Sequence, residues 1–340
     1  MSAVLPTTAT PAEARHHTRL LLALIALTAV LFVCALCVGP VPVSPVTLVD
    51  TLSRGSVLAT IVIELRLPRA LLALIVGASL GLAGAALQGL LRNPLAEPGI
   101  IGVSGTAAFG AVLAFYTGAA TLAFWVLPLC GMAGALLAVI AVHALAGARA
   151  DNATLILAGV AINALASALT ALVLNLSPNP FAVYEIFFWL LGSLTNRSLE
   201  HVWLTLPCFV LGARLLWRAA PGLDALALGE DTAASLGIDL GALRARIIAG
   251  TALAVGSAVA VTGVVGFVGL IVPHLLRPWV SQRPGALLGV SAWGGAALLL
   301  AADLGTRMPF AGGELKLGVV TALIGAPFFL RLVVLRGARA

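Results

Sequence analysis

"RLPRALLALIVGASLGLAGAALQGLLRNPLAEPGIIGVSG", residues 66–105, joins a long apolar run to a segment broken by proline and glycine. Within the run, Gly77, Gly81 and Gly84 recur at spacings of four and three residues. They therefore share one helical face, along which a second backbone can approach closely in lipid. The prolines and glycines after Arg92 predict unwound backbone, which is tolerated at membrane depth only where it is buried in protein or lines a cavity. The stretch indicates a transporter or channel with broken helices.

The whole chain has the composition of an integral membrane protein. Of its 340 residues, 61% are hydrophobic and 9% are charged, and the mean hydropathy is +1.11. Soluble domains carry about 25% charged residues. The apolar stretches are roughly 18 to 25 residues long, which suits membrane-crossing helices better than the short alternating strands of a barrel. The basic residues behind the net charge of +6 are too few to make a nucleic-acid-binding face, so we expect no nucleic acid partner.

Ten apolar segments predict an all-α fold, a polytopic membrane protein with about ten transmembrane helices. The polar residues 1–19 predict a flexible cytoplasmic tail, and residues 20–336 predict one transmembrane domain. The first segment starts where a signal peptide would, but it is long enough to span and no small-x-small cleavage pattern follows it. The segments are 20–38, 70–91, 100–118, 122–146, 154–176, 201–219, 246–263, 263–280, 285–304 and 316–335.

The basic residues predict that both termini are cytoplasmic, because lysine and arginine concentrate on the cytoplasmic side of membrane segments. Arg15 and Arg19 precede the first segment, and Arg331, Arg336 and Arg339 end the last. In this layout the other cytoplasmic arginines are Arg92, Arg149, Arg218, Arg244, Arg246, Arg277 and Arg283. The basic residues that face outward are Arg54, Arg66, Arg69, Arg197, Arg307 and Lys316.

Sequence motifs for catalysis or nucleotide binding are absent from the chain. Its one lysine, Lys316, lies in "GELKLG" and not in a GxxxxGK[ST] phosphate loop. The predicted spans contain almost no ionisable residues, which argues against a carrier that relays protons or sodium ions. Asp303 near the end of its span is interpreted as a local pair with Arg307, one helical turn later. We therefore expect no catalytic residue, cofactor or metal site, and ATP hydrolysis in a partner subunit.

A polar stretch, "LALGEDTAASLGIDLGALRAR" at 226–246, interrupts the apolar sequence within a loop that spans 221–246. Two adjacent acids suit the positive end of a helix, and a glycine six residues later can end that helix in a left-handed conformation. The next aspartate can cap a second short helix. Eight helical residues are only about 12 Å long, too short to cross a membrane. A plain connector is the simpler alternative, but two capped helices favour docking to a cytoplasmic partner.

Several blocks, in the right order from about Leu65 to Leu335, resemble the FecCD-type permeases of ATP-binding cassette importers. The blocks are residues 66–105, "LILAGVAIN" (155–163), "GEDTAASLGI" (229–238), "GFVGLIVPHLLR" (266–277) and "LGVVTALIGAPFFLRLV" (317–333). The resemblance implies a multi-pass permease domain in the lipid of a bacterial inner membrane. It also implies a second permease subunit, cytoplasmic ATP-binding cassette ATPases and a periplasmic substrate-binding protein as partners.

The resemblance also implies roles for three groups of residues. The ATPase-coupling helix falls on the polar stretch, at Gly229, Glu230, Asp231, Ala234, Gly237 and Asp239. The arginines that dock the binding protein fall on Arg66, Arg69 and Arg307. The cytoplasmic gate region matches the loop residues Asn152, Ala153 and Thr154 more loosely. An alternative for the arginines is contact with lipid headgroups, which long basic side chains reach readily.

The family's cargoes are iron(III)–siderophores, haem and cobalamin, and we expect an iron(III)–siderophore or a similar chelate, moved by alternating access. Haem or cobalamin import by the same machinery is the first alternative, and a secondary, ion-coupled transporter without ATPase partners is the alternative class. His274 in the "PH" of the fourth block is expected to be structural and not a haem ligand. Lys316 stands where the family commonly has proline, so the start of the last span can differ in geometry.

Overall fold

The computed structural model describes residues 11–46, 57–147, 151–308 and 314–337, and its regular structure there is entirely helical. The helices are α1 Pro11–Cys37, α2 Val57–Leu90, α3 Val103–Tyr116, α4 Val126–Ala146, α5 Asn152–Leu176, α6 Pro180–Leu190, α7 Leu199–Arg218, α8 Ala220–Leu226, α9 Glu230–Ser235, α10 Leu240–Thr262, α11 Val268–Leu276, α12 Pro284–Thr306 and α13 Leu317–Gly337. Each of the ten predicted segments corresponds to one of these helices. The all-α prediction is confirmed.

Seven of the described helices are long and apolar enough to cross a membrane: α1, α2, α4, α5, α7, α10 and α12. The predicted segments that became α3, α11 and α13 contain shorter apolar stretches. Two short helices, α6 and α8, were not predicted as separate elements. Helix α2 begins well before residue 70, because a π-helical turn at Ile61–Arg66 precedes Pro68. Such a turn lets a helix continue past a proline, which lacks one backbone donor.

Helix α2 is the centre of the bundle and is buried along most of its length. It packs along α12 through the glycines singled out in the sequence. A Cβ atom at Gly77 or Gly81 would clash with the backbone of α12 at Gly295 or Ser291, and one at Gly84 would clash with Gly269 of α11. In lipid, close backbone packing of this kind replaces the hydrophobic drive for helix association. Helices α4, α5 and α7 are much more exposed, at the periphery of the subunit.

The predicted flexible tail is wrong for residues 11–19, because these residues form the first turns of α1. The His16 ring stacks on Trp279, with ring centroids 6.0 Å apart, and His17 Nε2 lies 3.2 Å from the carbonyl oxygen of Ala286. These contacts fix the segment against the end of the bundle. Residues 1–10 of the predicted tail lie outside the described residues.

The helix alternation sorts the charged residues onto two ends of the bundle. Arg66, Arg69, Arg197 and Arg307 lie around one pocket at what we call the arginine end. The opposite end, called the helix-pair end, carries α8 and α9. Arg92 and Arg244 pair there with Glu230, and Arg283 pairs with Asp224. Arg246 donates to the backbone carbonyl of Arg218. Arg54 and Arg149, also assigned to opposite sides from the sequence, lie outside the described residues.

Candidate functional site

The helix pair consists of α8 and α9, which contact each other at one end of the bundle. Gly229, with φ +115°, precedes α9, and Gly237, with φ +83°, follows it in the left-handed conformation expected from the sequence. The N–H of Gly237 donates to the carbonyl of Ala234 at 2.9 Å, and the N–H of Ile238 donates to that of Ala233 at 3.0 Å. This pair of bonds is a Schellman motif, which satisfies the last carbonyls of the helix.

Helix α9 projects most of its surface away from the bundle. Ala233 is its buried residue, whereas Asp231, Ala234 and Leu236 are exposed. Glu230 turns inward instead: both of its carboxylate oxygens lie 3.3 Å from an Arg244 nitrogen. A third pair, at 3.7 Å, joins Glu230 to Arg92. The two adjacent acids therefore have different environments. Glu230 forms ion pairs within the subunit, whereas Asp231 is exposed and accessible to a partner.

Asp239 caps a helix, as predicted, but the helix is not a short one. Its Oδ1 accepts a hydrogen bond from the Ala242 N–H at 3.0 Å, and α10 then runs without a break from Leu240 to Thr262. The prediction of a second short helix after Asp239 is therefore wrong, because the apolar residues of α10 begin directly beyond the cap. The second short helix is α8 instead. Its Asp224 accepts a 2.7 Å bond from the Gly285 N–H and pairs with Arg283 at 3.0 Å.

The predicted gate residues form the first turn of α5 and not a loop. Asp151 Oδ1 accepts a hydrogen bond from the Thr154 N–H at 2.9 Å, which caps the helix before Asn152 and Ala153. Hydrogen bonds from the side chain and backbone of Thr154 hold the pKa of Asp151 below its ordinary value. Asn152 Nδ2 reaches the Leu91 carbonyl at 3.4 Å. The turn lies at the helix-pair end, and its gating role stays a prediction.

At the arginine end, Arg66 is a structural bridge with 5% of its surface exposed. Its guanidinium donates to the carbonyls of Leu36 and Cys37 at 2.9 Å and also to that of Val41. These carbonyls belong to the end of α1 and the chain beyond it. A side chain committed to backbone carbonyls in this way has little left to offer a lipid headgroup or a partner protein.

Asp303 holds the other two predicted docking arginines. Only 1% of its surface is exposed, and its two oxygens are shared between Arg69 at 2.8 Å and Arg307 at 2.6 Å. The pair with Arg307 is the local one expected from the sequence. Arg69 also bonds Thr306 Oγ1 at 2.9 Å and approaches Glu314 at 3.4 Å. We call Arg66, Arg69, Arg307 and Asp303 the arginine cluster.

A pocket of about 330 Å³ opens beside the arginine cluster, and Arg197 lines it without a described partner. Its Nε is buried and makes no hydrogen bond to the described residues. Burial disfavours the charged guanidinium and lowers the pKa of Arg197 below its ordinary value. The ten-segment layout predicts Arg197 on this side, but no motif assigns it a role. No local pattern marks it, because its isolation depends on where the surrounding loops fold.

A second cavity, of about 470 Å³, lies at the broken helices and is called the mid-membrane cavity. It is lined by the chain around Glu97, by α3 and α5, by the segment 264–267 between α10 and α11, and by Gly269 in the first turn of α11. Gly269 touches Gly84, which lies well inside α2, so the cavity is within the depth of the bundle. Of the two places expected for the unwound backbone, buried in protein or along a cavity, residues 97–99 take the second. Glu97 was missed, because it lies between two predicted spans and was not counted in either.

Lys316 and His274, which the sequence singled out, both pack against aromatic rings. The Lys316 ammonium lies over the Phe188 ring of α6, 5.4 Å from its centroid, which is within the range of a cation–π contact. The His274 ring lies against Phe328 of α13, with centroids 5.9 Å apart. Within the described ranges, no group of three or more His, Cys, Asp or Glu side chains is placed to hold a metal ion.

The fold and its two polar ends define a class, a polytopic α-helical membrane permease. The FecCD transport family matches residues 27–335, and the chain belongs to this family. It is 38% identical over 328 residues, 96% of its length and 98% of theirs, to vitamin B12 import system permease proteins BtuC from Salmonella paratyphi A, and 37% identical to that of Salmonella typhi. The chain is therefore a permease of the ATP-binding cassette importers, a class that works with ATPase subunits, a substrate-binding protein and a second permease subunit.

Solved structures agree with the fold. A metal-chelate type ABC transporter in an inward-facing conformation is 32% identical and superposes with a TM-score of 0.83, over 93% of this chain and 99% of that one. PsaBC from Streptococcus pneumoniae, in complex with Fab, superposes with a TM-score of 0.52 at 18% identity and shares the fold alone. Family membership decides against the alternative of a secondary, ion-coupled carrier.

Proposed function

We propose that this chain moves a large metal chelate inward across a bacterial inner membrane by alternating access, with ATP hydrolysed in partner subunits. The observation that carries the proposal is the helix pair, where α9 ends in a Schellman motif and is exposed on most of its surface. A short rigid helix of this kind can seat in a groove of an ATPase subunit. Movement of that subunit would then reach the spans through Arg244 and Asp224, which tie the pair to α10 and α12.

This proposal orients the chain with the helix-pair end and both termini in the cytoplasm, and with the arginine end outside. The orientation agrees with the excess of basic residues at the helix-pair end. The binding protein would then dock at the arginine end. Since Arg66, Arg69 and Arg307 are engaged inside the subunit, we place the available docking charge on Arg197.

Two cargo classes have support. Iron(III)–siderophore import agrees with the metal-chelate neighbour of known structure. Cobalamin import is favoured by the relatives named vitamin B12 import permeases, which match nearly the full length of both chains. Both cargoes are large chelates.

Transport by a reconstituted complex tests the proposal. The permease, its ATPase subunits and its binding protein are placed in proteoliposomes, and uptake of radiolabelled cobalamin and iron(III)–siderophores is measured with and without ATP. We expect ATP-dependent uptake that Ala234→Trp abolishes, because the exposed Ala234 lies on the free face of α9. Uptake that follows an ion gradient and ignores ATP would contradict the proposal.

Cysteine labelling tests the orientation separately. In a background without the four native cysteines, single cysteines replace Asn196 at the arginine end and Asp231 at the helix-pair end, both exposed. In intact cells an impermeant maleimide should modify only position 196. Labelling of position 231 from outside would invert the proposed orientation.

A further inference from the structure

The mid-membrane cavity has a polar side on α5. Asn163, Ser167 and Thr170 all line it, and their spacings of four and three residues put them on one side of the helix. Between Leu155 and Leu174 the helix has no other polar side chain. The polar side chains of this apolar helix are therefore concentrated on the side that faces the cavity. Asn163 lies near the midpoint of α5, far from either end of the bundle.

Glu97 supplies a carboxylate on another wall of the same cavity. It has no ion-pair partner among the described residues, and Phe267 lines the same cavity. Phe267 has φ +68°, a left-handed conformation that is unfavourable for a bulky residue. Its ring packs so closely on α13 that a Cβ at Gly325 would clash with it. The backbone at this wall of the cavity is therefore held in place.

Acidic groups at membrane depth are rare and need a reason. Moving a carboxylate into a bilayer is unfavourable, and such residues usually meet a partner or line a pathway. Here the carboxylate shares the cavity with Ser104, Asn163 and Thr170, whose side chains make no hydrogen bond to other described residues in this structure. A group of polar side chains that the protein itself leaves unused is suited to a polar ligand.

We propose that the mid-membrane cavity binds the edge of the cargo that carries N–H or O–H donors, with Glu97 as the main acceptor. Such an edge belongs to a chelate with amide, hydroxyl or ammonium groups. A cargo edged with carboxylates would meet like charge at Glu97 and is disfavoured. The volume of about 470 Å³ lies in the range of ligand sites, about 300–1,000 Å³, and suits part of a large chelate. This inference rests on the proposed function and narrows its cargo class.

A substrate-ratio measurement tests the cavity. Proteoliposomes with the complete complex receive three probes: cobalamin, edged with amides; a neutral iron(III) trihydroxamate siderophore; and haem, which carries two carboxylates. We expect the wild-type complex to prefer a donor-edged probe over haem. Glu97→Gln should reduce that preference by about tenfold. A hydrogen bond to a charged acceptor contributes about ten times more to affinity than one to a neutral acceptor. Glu185→Gln on the exposed face of α6 removes the same charge elsewhere and should leave the ratio unchanged.

The outcomes separate this inference from the proposed function. If the wild-type complex shows no ATP-dependent uptake of any probe, the proposed function fails and the cavity assignment fails with it. If uptake is normal and the ratio in Glu97→Gln equals that of wild type, only the cavity assignment is overturned. Should Glu97→Gln fail to insert, Thr170→Val and Asn163→Leu keep the question open to test. Both should lower uptake of the donor-edged probe, and unchanged uptake in both would refute the inference.

Discussion

The arginine cluster and the helix pair were both identified from charged residues in an apolar sequence, yet the structure uses their charges in opposite ways. In the arginine cluster, Asp303 forms ion pairs with Arg69 and Arg307. The guanidinium of Arg66 donates its hydrogen bonds to backbone carbonyls. In the helix pair, Asp231 is exposed on the outer surface of α9. The cluster fastens α1, α2 and α12 together, whereas the helix pair presents a surface to its surroundings.

The difference shows that a charged side chain of a membrane protein is available to a partner only if no buried group of the same protein already pairs with it. A buried cation without a counter-charge is strongly unfavourable, so Arg69 and Arg307 are drawn to Asp303 first. Arg197 is the contrasting case at the same end, because it lines a pocket and has no described partner. The following changes are ordered by the size of the expected effect.

Removing the charge of Asp303 should have the largest effect. Asp303→Asn keeps the shape of the side chain but leaves Arg307 buried without an anion and leaves Arg69 with only the more exposed Glu314, 3.4 Å away. We expect a loss of about 3–5 kcal/mol in the free energy of unfolding, measured by chemical denaturation in detergent. Glu200→Gln, an exposed carboxylate outside the described ion pairs, is the matched control. Equal stability of the two variants would show that the cluster does not hold the bundle.

Straining the end of α9 should have the next largest effect, on coupling. Gly237→Val forces a β-branched residue to φ +83°, with no neighbouring atoms to clash with, so the penalty of about 1–2 kcal/mol is in the backbone. We expect ATP hydrolysis that no longer drives uptake. Gly118→Val is the control, since Gly118 has φ +74° and equally open surroundings but lies away from the helix pair. If both variants couple normally, α9 is only a connector.

Neutralising Arg197 should weaken docking at the arginine end by up to about tenfold. The reason is that a half-buried ion pair contributes more binding free energy than an exposed one. Arg197→Gln should not lower stability, since it removes a desolvated charge without a described partner. Affinity for the binding protein is measured at low and high salt, and the loss should be larger at low salt. Arg214→Gln, an exposed arginine on α7, is the control. Unchanged affinity and salt dependence would exclude Arg197 from docking.

The smallest effect is expected at the exposed acid of α9. Asp231→Asn should weaken ATPase assembly by less than about fivefold, as surface charge pairs usually do, and should leave the unfolding midpoint unchanged. Glu230→Gln is the informative comparison, because it breaks contacts with Arg244 and Arg92 inside the subunit. It should alter stability more than assembly. The reverse pattern would mean that the two acids have exchanged roles.

Much of the fold was predictable because its signals are local. Apolar stretches predicted ten segments, each of which corresponds to a helix, and seven of these helices are long and apolar enough to cross a membrane. The glycines of α2 identified its tight packing face. Gly237 and Asp239 took the turn and cap that their residue types favour. Helix α8 escaped prediction because "APGLDAL" is too short for a periodic signal, and it is stabilised by Asp224 contacts with α12, distant in sequence.

The sequence by itself determined that this protein is an all-helical membrane protein with a polar helix at one end, since composition and short-range patterns specify span and cap. The permease assignment came from the resemblance of its sequence blocks to a family. Only the tertiary structure decided which charges are buried and which are free. Arg66, Arg69 and Arg307 meet their partners through contacts with α1 and α12, and Glu97 and Phe267 come together as part of the lining of the mid-membrane cavity. Such pairings join residues far apart in the chain, and the energy of a buried charge depends on neighbours that no local pattern contains.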